Sequence, residues 1–503
     1  MAKYKTTDVA AGQSLFLAVN LKEQLLPGSY EFMLNEIIGT KIDLSVFDKK
    51  YKNDVVGASA VPPSVLLKLI IYGYHSNCIS SRKIYELNNN NIIAKALTGD
   101  MAIHWTTIAD FISGNKEEIE DAFVQVLMYC NELGIIGGEN YAIDGLRLPS
   151  NASMDMSGTG EQLKKRLIMY KKMAAKHIER HVRRDAEGIR DDVTKKRFEK
   201  RQRHLNRQIV KISDFLAKMK KKEGRGGEEI QSNVTDNESA MIHSKKGYIQ
   251  GYIGIAVTDQ KSQVITSAQA VGTANEGEHL PKMLDKNTMN IEEAGVKTEE
   301  GKKPTLCGDA NYFSEDNLKA CEERGIEAVI ASGRCPVKVG PDGQKMYDTD
   351  DFIYNEEEDN FECPQGKCLT YKGTAVLRNG EGEIYQASLT DCRQCPAFSK
   401  CMKSQKAQDE LKQGKKILIT KRSDPESYCN KMRKKLSTVE YQDIYANRIQ
   451  IVEPVFANIR YCKGLDRFTL RGEGKVNIQW LLYCIVHNLG KCLNEWNSKK
   501  KAA

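Results

Sequence analysis

Long apolar runs are missing from this sequence. Its most hydrophobic stretch, around Trp480 to Val486, falls short of the roughly 20 residues a helix needs to cross a bilayer, so no membrane span is expected. The opening residues, Met1-Ala-Lys-Tyr-Lys-Thr-Thr-Asp, lack a basic segment followed by an apolar one, so no export signal is expected and the cytosol is the expected location. No glycine-rich phosphate loop ending in Lys-Ser or Lys-Thr occurs, which argues against P-loop nucleotide hydrolysis. Internal repeats are also absent. What is present is an ordinary globular balance, 40% hydrophobic and 28% charged, which excludes a wholly disordered or collagen-like chain. At 503 residues the chain exceeds one ordinary core, and two to four domains are expected. In a chain without a leader, its 14 cysteines read as reduced thiols, some of them metal-bound, and not as a disulfide framework.

Charge is unevenly placed. Between Lys164 and Lys222 there are 22 Lys plus Arg against 7 Asp plus Glu, an excess of 15 in a chain whose total is +8; the remainder is therefore net acidic. This segment has no proline and carries apolar residues at helical spacing, Leu163, Ile168, Met169, Met173 and Ile178, then Leu205, Ile209, Ile212 and Leu216. The spacing predicts two long helices turning about Asp185 to Val193. Such a basic arm suits either a solvated lysine-rich pair or a phosphate-binding surface.

Residues 1–137 read as helical. Pro62-Pro63 opens an amphipathic run, Ser80-Ser81 caps another, and Thr106 to Ile112 follows His104-Trp105; a helix-turn-helix module and a plain bundle fit this pattern equally. At Tyr141-Ala-Ile-Asp-Gly-Leu-Arg-Leu the pattern becomes β-prone, with Asp144 interrupting the apolar residues. Tyr248 to Val257 and Gln263 to Val271, joined by Thr258-Asp-Gln-Lys-Ser, predict a β-hairpin. Pro304 to Asp309 predicts a strand with Asp309 at its carboxyl end. Ser314 then caps a helix closed by Gly325 before the strand Ala328-Val-Ile-Ala. Residues 335–435 form a cysteine- and turn-rich insert. Residues 439–462 return to helical spacing and include Glu453, and a last helix is expected over Val476 to Trp496.

Asp144, Asp309 and Glu453 are carboxylates that a fold could gather. Mg²⁺ or Mn²⁺ takes oxygen ligands and keeps part of its water shell, so a few converging carboxylates suffice to bind it. Two such ions can support in-line phosphoryl displacement. Turn and cap readings also exist: Asp144 with Gly145 as a turn, Asp309 as a cap, and Asp236 as a rival metal position that precedes the hairpin and reads as structural.

Three blocks of this sequence resemble the catalytic blocks of DDE transposases of bacterial insertion sequences. They are Tyr141-Ala-Ile-Asp-Gly-Leu-Arg-Leu-Pro-Ser-Asn-Ala-Ser, Gly308-Asp-Ala-Asn-Tyr-Phe-Ser, and Val452-Glu-Pro-Val-Phe-Ala-Asn-Ile-Arg-Tyr-Cys-Lys-Gly-Leu-Asp-Arg-Phe. The third is the most specific. The leader, with Pro62-Pro63, Tyr72-Gly-Tyr and Ser80-Ser-Arg-Lys-Ile, is similar to the helical amino-terminal domain of the same group.

The resemblance implies an α/β fold: an RNase H-like mixed-sheet catalytic core divided between 138–334 and 436–503. The remaining parts would be an all-α DNA-binding and dimerisation domain over 1–137, a basic helical arm over 160–224, and a zinc-ribbon-like cysteine insertion over 335–435. It further implies Asp144, Asp309 and Glu453 as catalytic ligands of two Mg²⁺ or Mn²⁺ ions, with Tyr445, Arg448, Arg460 and Lys463 toward DNA. Arg448 lies five positions before Glu453, one more than the commonest family spacing. Among Cys363, Cys368, Cys392, Cys395 and Cys401, five thiols compete for four places at a structural zinc. The family pattern favours Cys363, Cys392, Cys395 and Cys401.

The activity implied is binding of terminal inverted repeats, Mg-dependent cleavage and strand transfer into target DNA, by a homodimer associated with the nucleoid. A DNA-binding regulator or inactive remnant, and a metal-dependent DNA endonuclease, are the alternative readings.

Overall fold

The computed structural model describes residues 20–502 apart from 52–58, 188–191, 225–226, 245–246, 298–300, 333–346, 348, 356, 378–379, 402–411 and 421–426. Cys335 and residues 188–191, within the turn expected for the basic arm, therefore lie outside the described residues.

The amino-terminal region is helical, as its capping pattern predicts. Its main helices are α1 (Tyr30–Thr40), α2 (Pro63–His75), α3 (Ser81–Asn90), α4 (Ile92–Thr98), α5 (Trp105–Gly114) and α6 (Lys116–Glu132). Pro63 opens α2, and the Ser80 side chain accepts from the Lys83 amide at 3.2 Å. Gly99, at φ +66°, closes α4 in the left-handed conformation that glycine adopts without strain.

The central sheet begins with β1 (Asn140–Pro149). The basic arm follows as α7 (Gly160–Ala186) and α8 (Asp192–Lys218). The chain then re-enters the sheet through β2 (Ala240–Ser244), β3 (Gly247–Asp259) and β4 (Ile265–Val271). Helix α9 (Leu280–Glu293), β5 (Thr305–Gly308), α10 (Glu315–Glu323) and β6 (Glu327–Ile330) complete this part. The strand order is β6-β5-β1-β3, with β2 and β4 sharing the outer edge of β3. Strands β1 and β3 are antiparallel, whereas β5 lies parallel to both β1 and β6. Strand β2 was not foreseen; it pairs only with the start of β3.

The insert is a five-stranded antiparallel sheet of β7 (Ile353–Asn355), β8 (Asn360–Glu362), β9 (Cys368–Leu377), β10 (Gly380–Ala387) and β11 (Lys416–Thr420), in sequential order. It has its own small core of Phe352, Phe361, Leu369, Tyr385, Ala387 and Ile417. This meander is more regular than the cysteine- and turn-rich, zinc-ribbon-like insertion expected, and its aromatic core gives it apolar burial independent of any metal.

Helices α11 (Tyr428–Leu436), α12 (Val439–Ala457) and α13 (Glu473–Ala502) finish the chain. Helix α12 lies on β1, β5 and β6, packing Ile451 and Val452 on Ala142, Cys307 and Val329. Helix α13 is buried between β4 and α6, and its Trp480 donates from Nε1 to the Ile255 carbonyl at 3.0 Å. A Cβ at Gly254 would meet the Trp480 ring at 2.9 Å, so this close approach requires glycine. One continuous hydrophobic cluster runs from Leu25 through the sheet to Trp496. Among the described residues, no helix is long and apolar enough to cross a membrane.

Candidate active site

Strand alternation sets the site. Ala142 packs beneath α12, and two positions later Asp144 projects from the same face of β1. Ile143 pairs with Gly308 in the parallel register of β1 and β5, so Asp144 and Asp309 each stand one residue beyond that pairing. Asp144 is therefore not in a turn: it lies in the interior of the strand Asn140–Pro149. Asp309 does cap a short helical turn, its Oδ1 accepting from the Asn311 amide at 2.9 Å. The hairpin of β3 and β4 brings β4 back parallel to β1. The loop after β4 then delivers Glu276, a residue the sequence reading missed.

Ligand oxygens of Asp144, Glu276 and Asp309 all lie within 4.8 Å of one another, and this is the only such group of His, Cys, Asp or Glu among the described residues. Asn311 ties two of them together, its Nδ2 donating to Glu276 Oε1 at 2.7 Å and to Asp309 Oδ2 at 2.9 Å. Arg147 Nη2 donates to the same Glu276 oxygen at 2.9 Å. On the other side, Arg448 of α12 donates from Nη2 to Asp144 Oδ2 at 2.7 Å, and the Gly145 amide donates to Asp144 Oδ1 at 2.8 Å.

Burial dominates the electrostatics here. It pushes Glu276 up to about 7, with Arg147 opposing and Asp144 and Asp309 reinforcing the shift. It pushes Asp144 up to about 6, although the Arg448 guanidinium and the Gly145 amide pull the other way. Three acids this close in a buried setting favour a bound proton or a cation.

The other expected residues divide. Glu453 is exposed on α12; its charge reaches Asp144, but its carboxylate is outside the three-residue cluster. Tyr445, one helical stretch earlier, packs at the edge of the Ala142, Cys307 and Val329 cluster. Arg448 is 8% exposed, so it is neither a surface salt bridge nor free toward solvent: it neutralises Asp144. Arg460 lies in a π-helical turn, Asn458–Cys462, its guanidinium 5.8 Å from the centre of the exposed Tyr461 ring. Lys463 Nζ sits 3.0 Å from His75 Nδ1, at the seam with α2. Asp236 is buried as a structural acceptor for the Tyr252 hydroxyl at 2.9 Å and the Gly472 amide at 3.3 Å, consistent with its structural reading.

Cys363, Cys392, Cys395 and Cys401 line one pocket of the insert, with Cys368 exposed outside it. Backbone amides of Lys367 and Lys415 donate to the Cys363 and Cys392 sulfurs, each at 3.3 Å. Burial, with the neighbouring thiols adding to it, raises Cys392 and Cys401. No three of these sulfurs lie within 4.8 Å of one another.

A signal for Glu276 does exist in the sequence. It is an acid in the connection between a predicted strand and the next helix, the same relation to β4 that Asp309 has to β5. Asn275-Glu276-Gly277 instead reads as turn chemistry.

Residues 362–493 match the family described as Transposase DDE domain, and residues 20–114 match the family described as Transposase domain (DUF772). The first match spans the insert from residue 362 onward, Glu453 and most of α13; the second spans most of the amino-terminal helices. Comparison with curated proteins finds no match. A helical leader and a carboxyl-terminal region that both match transposase families, with an acidic cluster on the sheet between them, make the chain similar to DDE transposases.

Proposed function

We propose that this chain is a transposase that binds the terminal inverted repeats of an insertion sequence, hydrolyses a phosphodiester to free a 3′-hydroxyl, and directs that hydroxyl onto target DNA. The observation that carries the proposal is the convergence of Asp144, Asp309 and Glu276 within 4.8 Å beneath α12. The strand order β6-β5-β1-β3-β4, with only β3 reversed, supports an RNase H-like core.

Mg²⁺ or Mn²⁺ fits this donor set, because the ligands are all carboxylates and one buried oxygen, Glu276 Oε2, has no hydrogen-bond partner. A pair of such ions, when bound, would lower the pKa of the attacking hydroxyl and stabilise the leaving oxygen. Asp144 and Asp309 would hold them from the sheet, and Glu453 would close the site from its exposed position on α12. Arg448 keeps Asp144 charge-compensated in the free protein. Arg460, Tyr445 and Lys463 are proposed to meet DNA along the same helix and its π-helical continuation. The arm α7–α8 would track phosphates by charge. Synapsis of two ends would engage a homodimer.

In the insert, the four pocket cysteines would hold a structural Zn²⁺. The donor set fits, and the backbone amides of Lys367 and Lys415 donate to two of the sulfurs, as outer partners do for metal ligands.

Supercoiled plasmid carrying cognate ends, with Mg²⁺, tests the reading. Asp144→Asn, Asp309→Asn and Glu453→Gln should each reduce cleavage and joining by at least about 10³-fold, a scale set by loss of transition-state charge stabilisation, while gel-shift affinity for the ends stays within about threefold. Wild-type protein that cuts without joining would establish the endonuclease reading. Binding with no nick would establish the regulator.

A further inference from the structure

We infer that Glu276 is a fourth carboxylate of this metal site, that it binds a divalent cation in the free protein together with Asp144 and Asp309, and that Gly145 is the residue that admits it. This deepens the reading given above and rests on it.

The two oxygens of Glu276 have different environments. Oε1 is fully engaged, accepting from Arg147 and from Asn311. Oε2 is buried without a partner, on a residue only 1% exposed. Leaving a buried carboxylate oxygen unpartnered is costly, and an oxygen of this carboxylate lies within 4.8 Å of ligand oxygens of Asp144 and Asp309. Arg147 and Asn311 therefore act as an orienting clamp. They hold one oxygen and leave the second without a partner, as outer partners do for metal ligands.

The approach is possible only because β1 carries glycine beside Asp144. A Cβ at position 145 would stand 1.8 Å from Glu276 Oε2 and 2.6 Å from Ile253 Cγ2. The φ of Gly145 is not positive, so its backbone conformation does not demand glycine; the space taken by Glu276 does. Glu453 is exposed and outside the cluster, so the free protein would load its ion without it.

Titration of the full-length protein with Mn²⁺ alone, followed by isothermal calorimetry in the absence of DNA, tests the assignment. Wild type should bind. Glu276→Gln, which preserves shape and the bonds from Arg147 and Asn311, should weaken binding at least about tenfold. Gly145→Ala should weaken it similarly by displacing Oε2. Circular dichroism and melting check that each variant folds; where Gly145→Ala does not, Glu276→Gln alone decides. Wild-type affinity in Glu276→Gln, with loss in Asp144→Asn, would overturn the inference and leave the metal site standing. A wild type that binds no Mn²⁺, with or without cognate DNA, would overturn the metal site itself.

Discussion

Glu276 and Arg448 show how the acidic site proposed to take a cation is held together without one. Burial raises the Glu276 carboxyl from 4.5 to about 7, so in metal-free protein the folded state holds this proton more tightly than the unfolded chain. The associated stability is complete below about pH 4.5 and is lost as pH rises through about 7. Glu276→Gln removes that titration. Variant and wild type should therefore melt alike near pH 4.5, and the metal-free variant should be more stable near pH 8, by up to about 3 kcal/mol; thermal melts across this range in chelator check it. Arg448→Gln acts in the opposite sense. It leaves Asp144, already raised to about 6, without its compensating charge. We expect a loss of about 3 kcal/mol near pH 8 that shrinks below pH 5, where Asp144 is protonated in both proteins. Asp144 and Asp309 were legible in the sequence because each interrupts or ends a short apolar β-prone run. Glu276 was not, because Asn275-Glu276-Gly277 reads as turn chemistry and its proximity depends on a missing Cβ on another strand.

At the scale of elements, the helical spacing of the basic arm correctly gave two long helices but overstated what they bury. Leu163, Ala174, Leu205 and Ile212 are buried, whereas Ile168, Met169, Met173 and Ile178 are exposed. Two paired helices cover only one stripe of each other, so the rest of the apolar pattern stays outside. The charged faces are equally open: Arg180, Arg184, Arg197 and Arg201 are all exposed. Changing these four to glutamine should leave helicity intact and flatten the dependence of log affinity for DNA on log salt, by about 0.9 for each phosphate contact removed. Binding isotherms between about 50 and 200 mM salt measure this slope. An unchanged slope would mean that the arm is merely solvated. The β3–β4 hairpin and the β5-α10-β6 unit were legible because turn residues and caps bound them. Strand β2 and the insert meander were not, since short strands without strong alternation take their form from pairing partners distant in sequence.

For the whole molecule, packing decides which parts share a core. The residues expected to form a separate helical domain share one continuous hydrophobic cluster with the sheet and with α13, whereas the insert has a core of its own. Helix α13 joins the ends of the chain: Cys492 lies 3.4 Å, sulfur to sulfur, from Cys130 of α6, and Asn497 donates to the Gly28 carbonyl at 3.1 Å. Cooperative unfolding should follow cores rather than sequence blocks. Calorimetry should therefore resolve one transition for the helical leader and sheet together and another for the insert. Trp480→Ala deletes a fully buried ring and its bond to Ile255. It should cost about 3 to 5 kcal/mol and lower the first transition while leaving the second in place. Chelation of the zinc proposed for the insert should do the reverse, lowering only the insert transition. If Trp480→Ala instead separated the leader from the sheet into two transitions, the shared core would not be a single cooperative unit. Glu276, set between a sheet strand and helix α9, would then owe its position to the sheet alone.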